Sequence, residues 1–239
     1  MGRLILVRHA QASFLSPDYD QLSPVGEQQA RLLGEYWTRR KVAFDRVYFG
    51  PRARQKDTAK IVGEFYRGAQ VHFPEPAVME EFDEFEGEAV LRQSLPRLLE
   101  TDPTIRNLHG AFVASESASD KRRSFERLFA VVIGRWVSGE VVAPGVECWS
   151  EFCSRVHRGL SRLASEAGPN EQAAVFSSGG PIAVAMQRAL NLSSQDTLRT
   201  AGMSRNCSYS EFLFSGDRFT LSVFNAFPHL DDAELLTYR

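Results

Sequence analysis

Residues 4–9, with the sequence LILVRH, constrain the fold of this chain more than any other stretch. Four apolar residues that favour β-structure end abruptly in Arg8 and His9, which predicts a buried strand with both side chains at its carboxyl end. In open α/β sheets, ligands bind in the crevice at that end of the strands. A guanidinium group suits phosphate oxygens and a neutral imidazole can act as a nucleophile, so the pair indicates chemistry on an anion.

The composition is that of an ordinary globular protein. The chain has 239 residues, of which 43% are hydrophobic and 24% charged, and its net charge of −2 gives no reason to expect nucleic acid or an anionic membrane as a partner. The three cysteines form no CxxC pattern, so neither a disulfide framework nor a zinc site is indicated. Because no signal-peptide pattern and no run of ~20 apolar residues is found, we expect a cytoplasmic protein.

Strand-like and helical segments alternate along the chain, which predicts an α/β fold with helices on both faces of a mostly parallel central sheet. The predicted strands are 1–9, 44–49, 71–73, 173–176, 210–214 and 219–224, the last two joined by a turn at 215–217. The predicted helices are 24–40, with Ser23 as N-cap, and about 53–65, 150–167 and 179–190. Residues 89–140 are helical in pattern and lack strands. We therefore expect one domain, 1–239, with residues 89–140 as a helical insertion that caps the site.

Two further segments place phosphate-binding residue types after strands. Residues 50–54 (GPRAR) carry Arg52 and Arg54 into a helix, where a guanidinium group and helix N–H groups point at the same anion. The plain alternative is a pair of surface arginines at a helix start. Residues 178–181 (SGGP) follow a buried strand and open a helix, so that backbone amides approach an anion closely. The plain alternative there is that Ser178 is only an N-cap.

Four segments, spread in order from residue 4 to residue 230, match the motifs of a known family. Residues 6–12 (LVRHAQA) resemble the pattern L-V-R-H-G-x-T/A, and residues 19–30 (YDQLSPVGEQQA) resemble Y-D-x-L-S-x-x-G-x-x-Q-A. Residues 50–59 (GPRARQKDTA) are similar to S-P-x-x-R-A-x-Q-T-A, and residues 225–230 (NAFPHL) to N-x-x-x-H-L. The chain is therefore identified as a member of the histidine phosphatase (phosphoglycerate mutase-like) superfamily.

The resemblance implies a three-layer α/β/α fold and a mechanism that needs no metal and no cofactor. His9 would attack a phosphoryl group and form a phosphohistidine, which water then hydrolyses. Arg8 and Arg54 would hold the phosphoryl oxygens and offset their developing charge. The remaining expected substrate contacts are Gln11, Ser178 and Gly179.

Ser178 marks a departure from the family pattern. The family has S-H-G-G at this strand end, with its histidine on the phosphoryl group, whereas residues 177–180 read SSGG. A hydrogen bond from a charged donor is worth roughly 1.5–3 kcal/mol and one from a neutral hydroxyl about 1 kcal/mol. We therefore expect turnover to be slower by about one to two orders of magnitude. Since the flanking motif is preserved, we expect Ser178→His to raise the rate; if the site has rearranged around serine, the rate should fall.

Two glutamates compete for the role of general acid that protonates the leaving oxygen. Residues 83–90 (DEFEGEAV) resemble the form L-N/D-E-F/Y-D found in some family branches, which selects Glu84. The longer form L-x-E followed by E-G selects Glu81 instead. We prefer Glu84, and we expect Glu80 and Glu86 to be solvated. His229 falls in the closing motif, where a structural role is expected.

The sequence thus favours a metal-independent phosphatase acting on a phosphorylated small molecule. One alternative is a phosphate-ester-binding or regulatory protein with weakened catalysis, which Ser178 would indicate because it replaces the family's histidine. The other is a phosphoglycerate-mutase-type phosphotransferase, although the segments that such mutases carry around residues 90–120 are not recognisable here. We expect residues 89–140 to select the substrate, and the oligomeric state stays open, a homodimer included.

Overall fold

A computed structural model describes residues 1–13, 20–216 and 218–238 of the chain. Tyr19 of the second motif and Asp217 of the predicted turn lie outside the described residues. Contacts divide the chain into two compact units, one formed by Met1–Glu84 with Arg155–Arg239 and the other by Phe85–Ser154.

The first unit contains a six-stranded mixed sheet. Its strands are β1 (Gly2–Arg8), β2 (Arg46–Phe49), β3 (Ala77–Val78), β4 (Gln172–Ser177), β5 (Tyr209–Ser215) and β6 (Arg218–Ala226), in the order β3-β2-β4-β1-β5-β6. The pairs β2–β3, β2–β4 and β1–β4 are parallel, whereas β5 is antiparallel to both β1 and β6. The predicted α/β fold with a mostly parallel sheet is confirmed, and the strands predicted at 210–214 and 219–224 pair with each other as β5 and β6.

Eight α-helices occur in the described part of the chain. They are α1 (Pro24–Arg39), α2 (Ala53–Gly68), α3 (Gly87–Thr101), α4 (Pro103–Val113), α5 (Ala118–Val137), α6 (Trp149–Glu166), α7 (Gly179–Leu190) and α8 (Ser194–Met203). The predicted start of α1 is confirmed, because the Ser23 hydroxyl accepts a hydrogen bond from the Gly26 N–H at 3.0 Å and Pro24 occupies the first turn. None of the described helices is long and apolar enough to cross a bilayer.

The predicted strand at 71–73 is wrong. Residues 71–76 have no regular structure, and the edge strand β3 begins only at Ala77. Pro74 and Pro76 lack a backbone N–H and cannot take part in a ladder of hydrogen bonds. Phe73 instead packs its ring on Tyr66 of α2, with 4.8 Å between the ring centroids.

One face of the sheet carries a hydrophobic core of the first unit. Alternate residues of β1, Ile5 and Val7, point to this face. They belong to a buried cluster with residues of α1, α2, β2 and β4, including Leu33, Trp37, Val47, Val62, Tyr66 and Phe176. The helices α1 and α2 pack against each other, so that residues at the start of α2 are held rigidly beside the sheet.

The second unit, Phe85–Ser154, contains α3, α4 and α5. Its interior includes a group of aromatic rings in which Phe85 stacks on Trp136 at 5.4 Å between centroids, while Trp149 and Phe152 meet Phe85 edge-on. The stretch 89–140, which we predicted to be a helical insertion, lies within this unit.

Candidate active site

The parallel strands β1, β2 and β4 end at the same edge of the sheet. Arg8 at the end of β1 pairs with Ser177 at the end of β4, and Phe49 at the end of β2 pairs with Phe176. The His9 N–H donates to the Ser177 carbonyl at 2.8 Å, and the Gly50 N–H donates to the Phe176 carbonyl at 2.9 Å. The chain segments that follow these strands therefore emerge side by side.

His9 is buried, and its hydrogen bonds define its tautomer. Nδ1 lies 2.7 Å from the carbonyl oxygen of Ala10, which can only accept, so Nδ1 carries the hydrogen. The other ring nitrogen, Nε2, therefore has the free lone pair, and the Arg54 Nε–H donates to it at 3.1 Å. This arrangement leaves the imidazole with a nucleophilic nitrogen next to a guanidinium group.

The surroundings of His9 keep the ring neutral. Burial is the largest of the effects that hold the pKa of His9 well below its ordinary value, and the positive charges of Arg54 and Arg8 lower it further. An imidazolium has no lone pair for attack, so a lowered pKa keeps the nucleophilic form populated at neutral pH.

Arg54 is held in place by a carboxylate that the sequence analysis did not select. The Arg54 Nη1–H donates to Asp20 Oδ1 at 2.6 Å, while Asp20 Oδ2 accepts the Ala53 N–H at the start of α2 at 2.7 Å. Asp20 thus orients the guanidinium group and also satisfies a helix N-terminus. The second motif contains this aspartate, but only the fold shows that it reaches a residue 34 positions away.

Ser178 lies at the N-terminal end of α7 and is 1% exposed. Its side chain makes no capping hydrogen bond to the helix, although it occupies the N-cap position. Its Oγ instead lies 2.8 Å from Nε2 of Gln55, the residue after Arg54. The next residue, Gly179, lies close to the backbone of α8, because a Cβ at this position would lie 2.9 Å from the Ala201 carbonyl oxygen.

The two candidate acids differ in their surroundings. Glu84 Oε2 accepts the Gly180 N–H at 3.1 Å, so this carboxyl group lies at the start of α7, two residues from Ser178. The carboxylate of Glu81 pairs with Arg162 of α6 at 2.8 Å, and the Arg162 side chain is 44% exposed. The structure therefore brings Glu84, and not Glu81, into contact with the α7 terminus.

Arg8 is bound by backbone carbonyl groups from the far end of the chain. Its Nη1–H donates to the Ser204 carbonyl, and its Nη2–H donates to the Tyr238 carbonyl at 2.6 Å. The segment 235–238, called here the C-terminal segment, is itself fixed by Gln29 Nε2, which donates to the Leu235 carbonyl at 2.7 Å, and by the hydroxyl of Thr237. The positive charge of the Arg8 guanidinium group acts on His9 and lowers its pKa.

Gln11 lies at the edge of this group of residues. Its backbone N–H donates to Gln29 Oε1 at 2.9 Å, and its carboxamide oxygen accepts from the Ser23 hydroxyl at 2.8 Å. These bonds tie Gln11 to the beginning of α1, and its predicted contact with a substrate stays a prediction. Across the described ranges, no group of three or more His, Cys, Asp or Glu side chains is arranged to hold a metal ion.

His229 is buried, with its ring 6.2 Å from that of Tyr36 and 6.5 Å from that of Tyr209. Burial lowers the pKa of His229 to about 4. The ring is therefore neutral in the folded protein at neutral pH, in keeping with the expected structural role.

We predict that His229 makes the protein less stable in acid. Because its pKa is about 4 folded and about 6.5 unfolded, the unfolded chain binds the proton more tightly, and stability is lost as the pH falls from 6.5 towards 4. Between pH 7 and pH 4 this costs about 3 kcal/mol. In His229→Leu, the drop in unfolding free energy over that interval, measured by urea denaturation, should shrink by this amount. An unchanged drop would contradict the prediction.

Comparisons with known proteins identify the family and the fold of the chain. A profile described as the histidine phosphatase superfamily (branch 1) matches residues 4–102 and 122–226. No match is found among curated protein sequences. A mycobacterial glucosyl-3-phosphoglycerate phosphatase with inorganic phosphate is 18% identical, with coverage of 96% of this chain and 99% of that chain and a TM-score of 0.63.

A phosphoserine phosphatase mutant from Entamoeba histolytica, solved with phosphoserine, is 20% identical. The alignment covers 96% of this chain and all of the other, with a TM-score of 0.62. Identities this low establish a shared fold and nothing finer.

Proposed function

Because the chain belongs to branch 1 of the histidine phosphatase superfamily, we propose that it hydrolyses a phosphate monoester through a phosphohistidine on His9. The observation that carries the proposal is the state of His9: a neutral ring with its hydrogen on Nδ1 and its Nε2 lone pair beside Arg54. Similar folds have been solved with inorganic phosphate and with phosphoserine, which supports a phosphorylated small molecule as substrate.

In the first step His9 Nε2 attacks phosphorus, the Nε2–P bond forms and the bond from phosphorus to the leaving oxygen breaks. Arg54 moves its Nε–H from the His9 ring to a phosphoryl oxygen, so the donor that first bonds to the ring then stabilises the transition state. Arg8 adds positive charge next to the ring. The protonated carboxyl group of Glu84 gives its hydrogen to the leaving oxygen.

In the second step water hydrolyses the phosphohistidine. The Glu84 carboxylate takes one hydrogen from the water molecule, the water oxygen attacks phosphorus and the Nε2–P bond breaks. Inorganic phosphate leaves, while His9 and Glu84 return to their starting protonation states. Ser178 would supply a neutral donor to the phosphoryl group, so we expect a turnover slower by about one to two orders of magnitude than with a charged donor.

The test is incubation with p-nitrophenyl phosphate and a panel of phosphorylated metabolites, with and without EDTA. The proposal expects release of inorganic phosphate that EDTA does not reduce, and a phosphoenzyme that is stable to base and labile to acid. Binding of the phosphates without any turnover would favour the binding-protein alternative, and transfer of the phosphoryl group to a second metabolite would favour a mutase. The panel also identifies the substrate, whose selection we assign to residues 89–140.

We expect Glu84→Gln to show the dependence on leaving group that marks a general acid. An alkoxide needs the proton, whereas p-nitrophenolate leaves without it. The kcat for alkyl phosphates should therefore fall by about a hundredfold and that for p-nitrophenyl phosphate by much less. Glu81→Gln is the matched comparison: it breaks the pair with Arg162 and should lower the melting temperature without a difference between the two substrate types. The reverse pattern would assign the acid to Glu81.

A further inference from the structure

Gln55 joins the beginnings of two helices. It is completely buried, and its Oε1 accepts the Arg52 N–H at 3.1 Å at the start of α2. At the other end of its carboxamide, Nε2 lies 2.8 Å from Ser178 Oγ at the start of α7. The residue before it, Arg54, donates to the ring of His9, the proposed nucleophile.

These two contacts fix the orientation of the carboxamide and of the serine hydroxyl. A backbone N–H can only donate, so the oxygen of the carboxamide must face Arg52 and its NH2 group must face Ser178. Ser178 Oγ therefore accepts from Gln55, and its own hydrogen must point in another direction. Among the described residues none accepts that hydrogen, although Ser178 is 1% exposed.

We propose that Gln55 is a positioning residue of the phosphatase site, which holds Ser178 so that its hydroxyl donates to the phosphoryl group. The inference rests on the proposed function and deepens it. The start of α7 supplies a second reason for an anion at this place, because the Gly179 N–H at the first helical position has no partner within the helix. An anion there would accept the serine hydrogen and a hydrogen bond from the Gly179 N–H.

The same contact gives Gln55 a steric role. With the carboxamide 2.8 Å from Ser178 Oγ, an imidazole at position 178 would collide with it. The two family patterns quoted above have a small residue, Ala, at position 55 and a large one, His, at position 178. This chain has the large Gln55 and the small Ser178 instead. Ser178→His alone is therefore expected to lower stability and rate, contrary to the gain favoured from the sequence.

The experiment is a double-mutant cycle with Ser178→Ala and Gln55→Met, in which methionine keeps the volume and removes the donor. The readouts are the Kd for inorganic phosphate by calorimetry, kcat/KM for p-nitrophenyl phosphate, and the melting temperature. Ser178→Ala should weaken phosphate binding and lower kcat/KM about tenfold. Gln55→Met should lower both several-fold in the wild-type background and less than twofold in the Ser178→Ala background, since it acts through Ser178.

A second pair of variants tests the steric role. Ser178→His should melt several degrees below the wild type, and adding Gln55→Ala should restore most of the loss. Equal effects of Gln55→Met in both backgrounds, or a Ser178→His variant as stable as the wild type, would overturn the proposal.

The outcomes also separate this proposal from the proposed function. If the two substitutions have coupled effects on phosphate affinity but the protein hydrolyses no phosphate ester, the proposed phosphatase activity is refuted and the positioning of Ser178 by Gln55 is supported. If the protein hydrolyses phosphate esters and the effects are additive, the phosphatase activity is supported and the positioning role is refuted. If no variant and not even the wild type binds phosphate, both fail.

Discussion

Replacing His9 with alanine is expected to abolish turnover and the acid-labile phosphoenzyme together. The proposed nucleophile, His9 Nε2, lies 3.1 Å from Arg54 Nε, and its removal leaves the phosphoryl group without the attacking nitrogen. The measurement is phosphate release alongside base quenching of enzyme incubated with substrate labelled on its phosphoryl group. His72→Ala is the matched control, because His72 is exposed and belongs to none of the motifs. A labelled phosphoenzyme that persists in the His9 variant would refute the assignment.

Arg54→Ala should leave the fold intact and cost at least about 3 kcal/mol of transition-state stabilisation, which is more than a hundredfold in kcat/KM. The guanidinium group is pre-positioned by Asp20 at 2.6 Å, so that little reorganisation is needed when the phosphoryl group arrives. Arg54→Lys should recover only a small part of the rate, because lysine keeps the charge and loses the planar set of donors. Arg31→Ala, on the exposed face of α1, serves as the control for the loss of one positive charge. A rate within tenfold of the wild type in Arg54→Ala would contradict the assignment.

The local features of the fold are well predicted from the sequence. The run at 4–7 is apolar without alternation, as expected for a central strand buried on both faces, and it forms β1. Ser23 and Pro24 start α1 because their capping chemistry acts within one helical turn. The strand expected at 71–73 fails for an equally local reason, the two prolines at 74 and 76, whose missing N–H groups outweigh the β-propensity of Val71 and Phe73.

The parts of the site that sequence reasoning missed depend on contacts between distant residues. Asp20 reaches Arg54 across 34 positions, and Gln55 reaches Ser178 across 123. Gln55 looks like an ordinary polar residue in the first turn of a helix. Its role becomes apparent only when parallel pairing of β2 with β4 brings the two following helix starts together. One signal was available: Gln55 and Ser178 are both departures from the motifs that surround them.

The C-terminal segment has a consequence for the order of folding. Strand β1 pairs with β4 and β5, which begin only at Gln172 and Tyr209. The carbonyl groups that hold Arg8 belong to Ser204 and Tyr238, which lie 196 and 230 positions further along the chain. Contacts at such large sequence separations form slowly, because a long loop must close before they are made. We therefore expect the Arg8 guanidinium group to reach its final arrangement as one of the last events of folding.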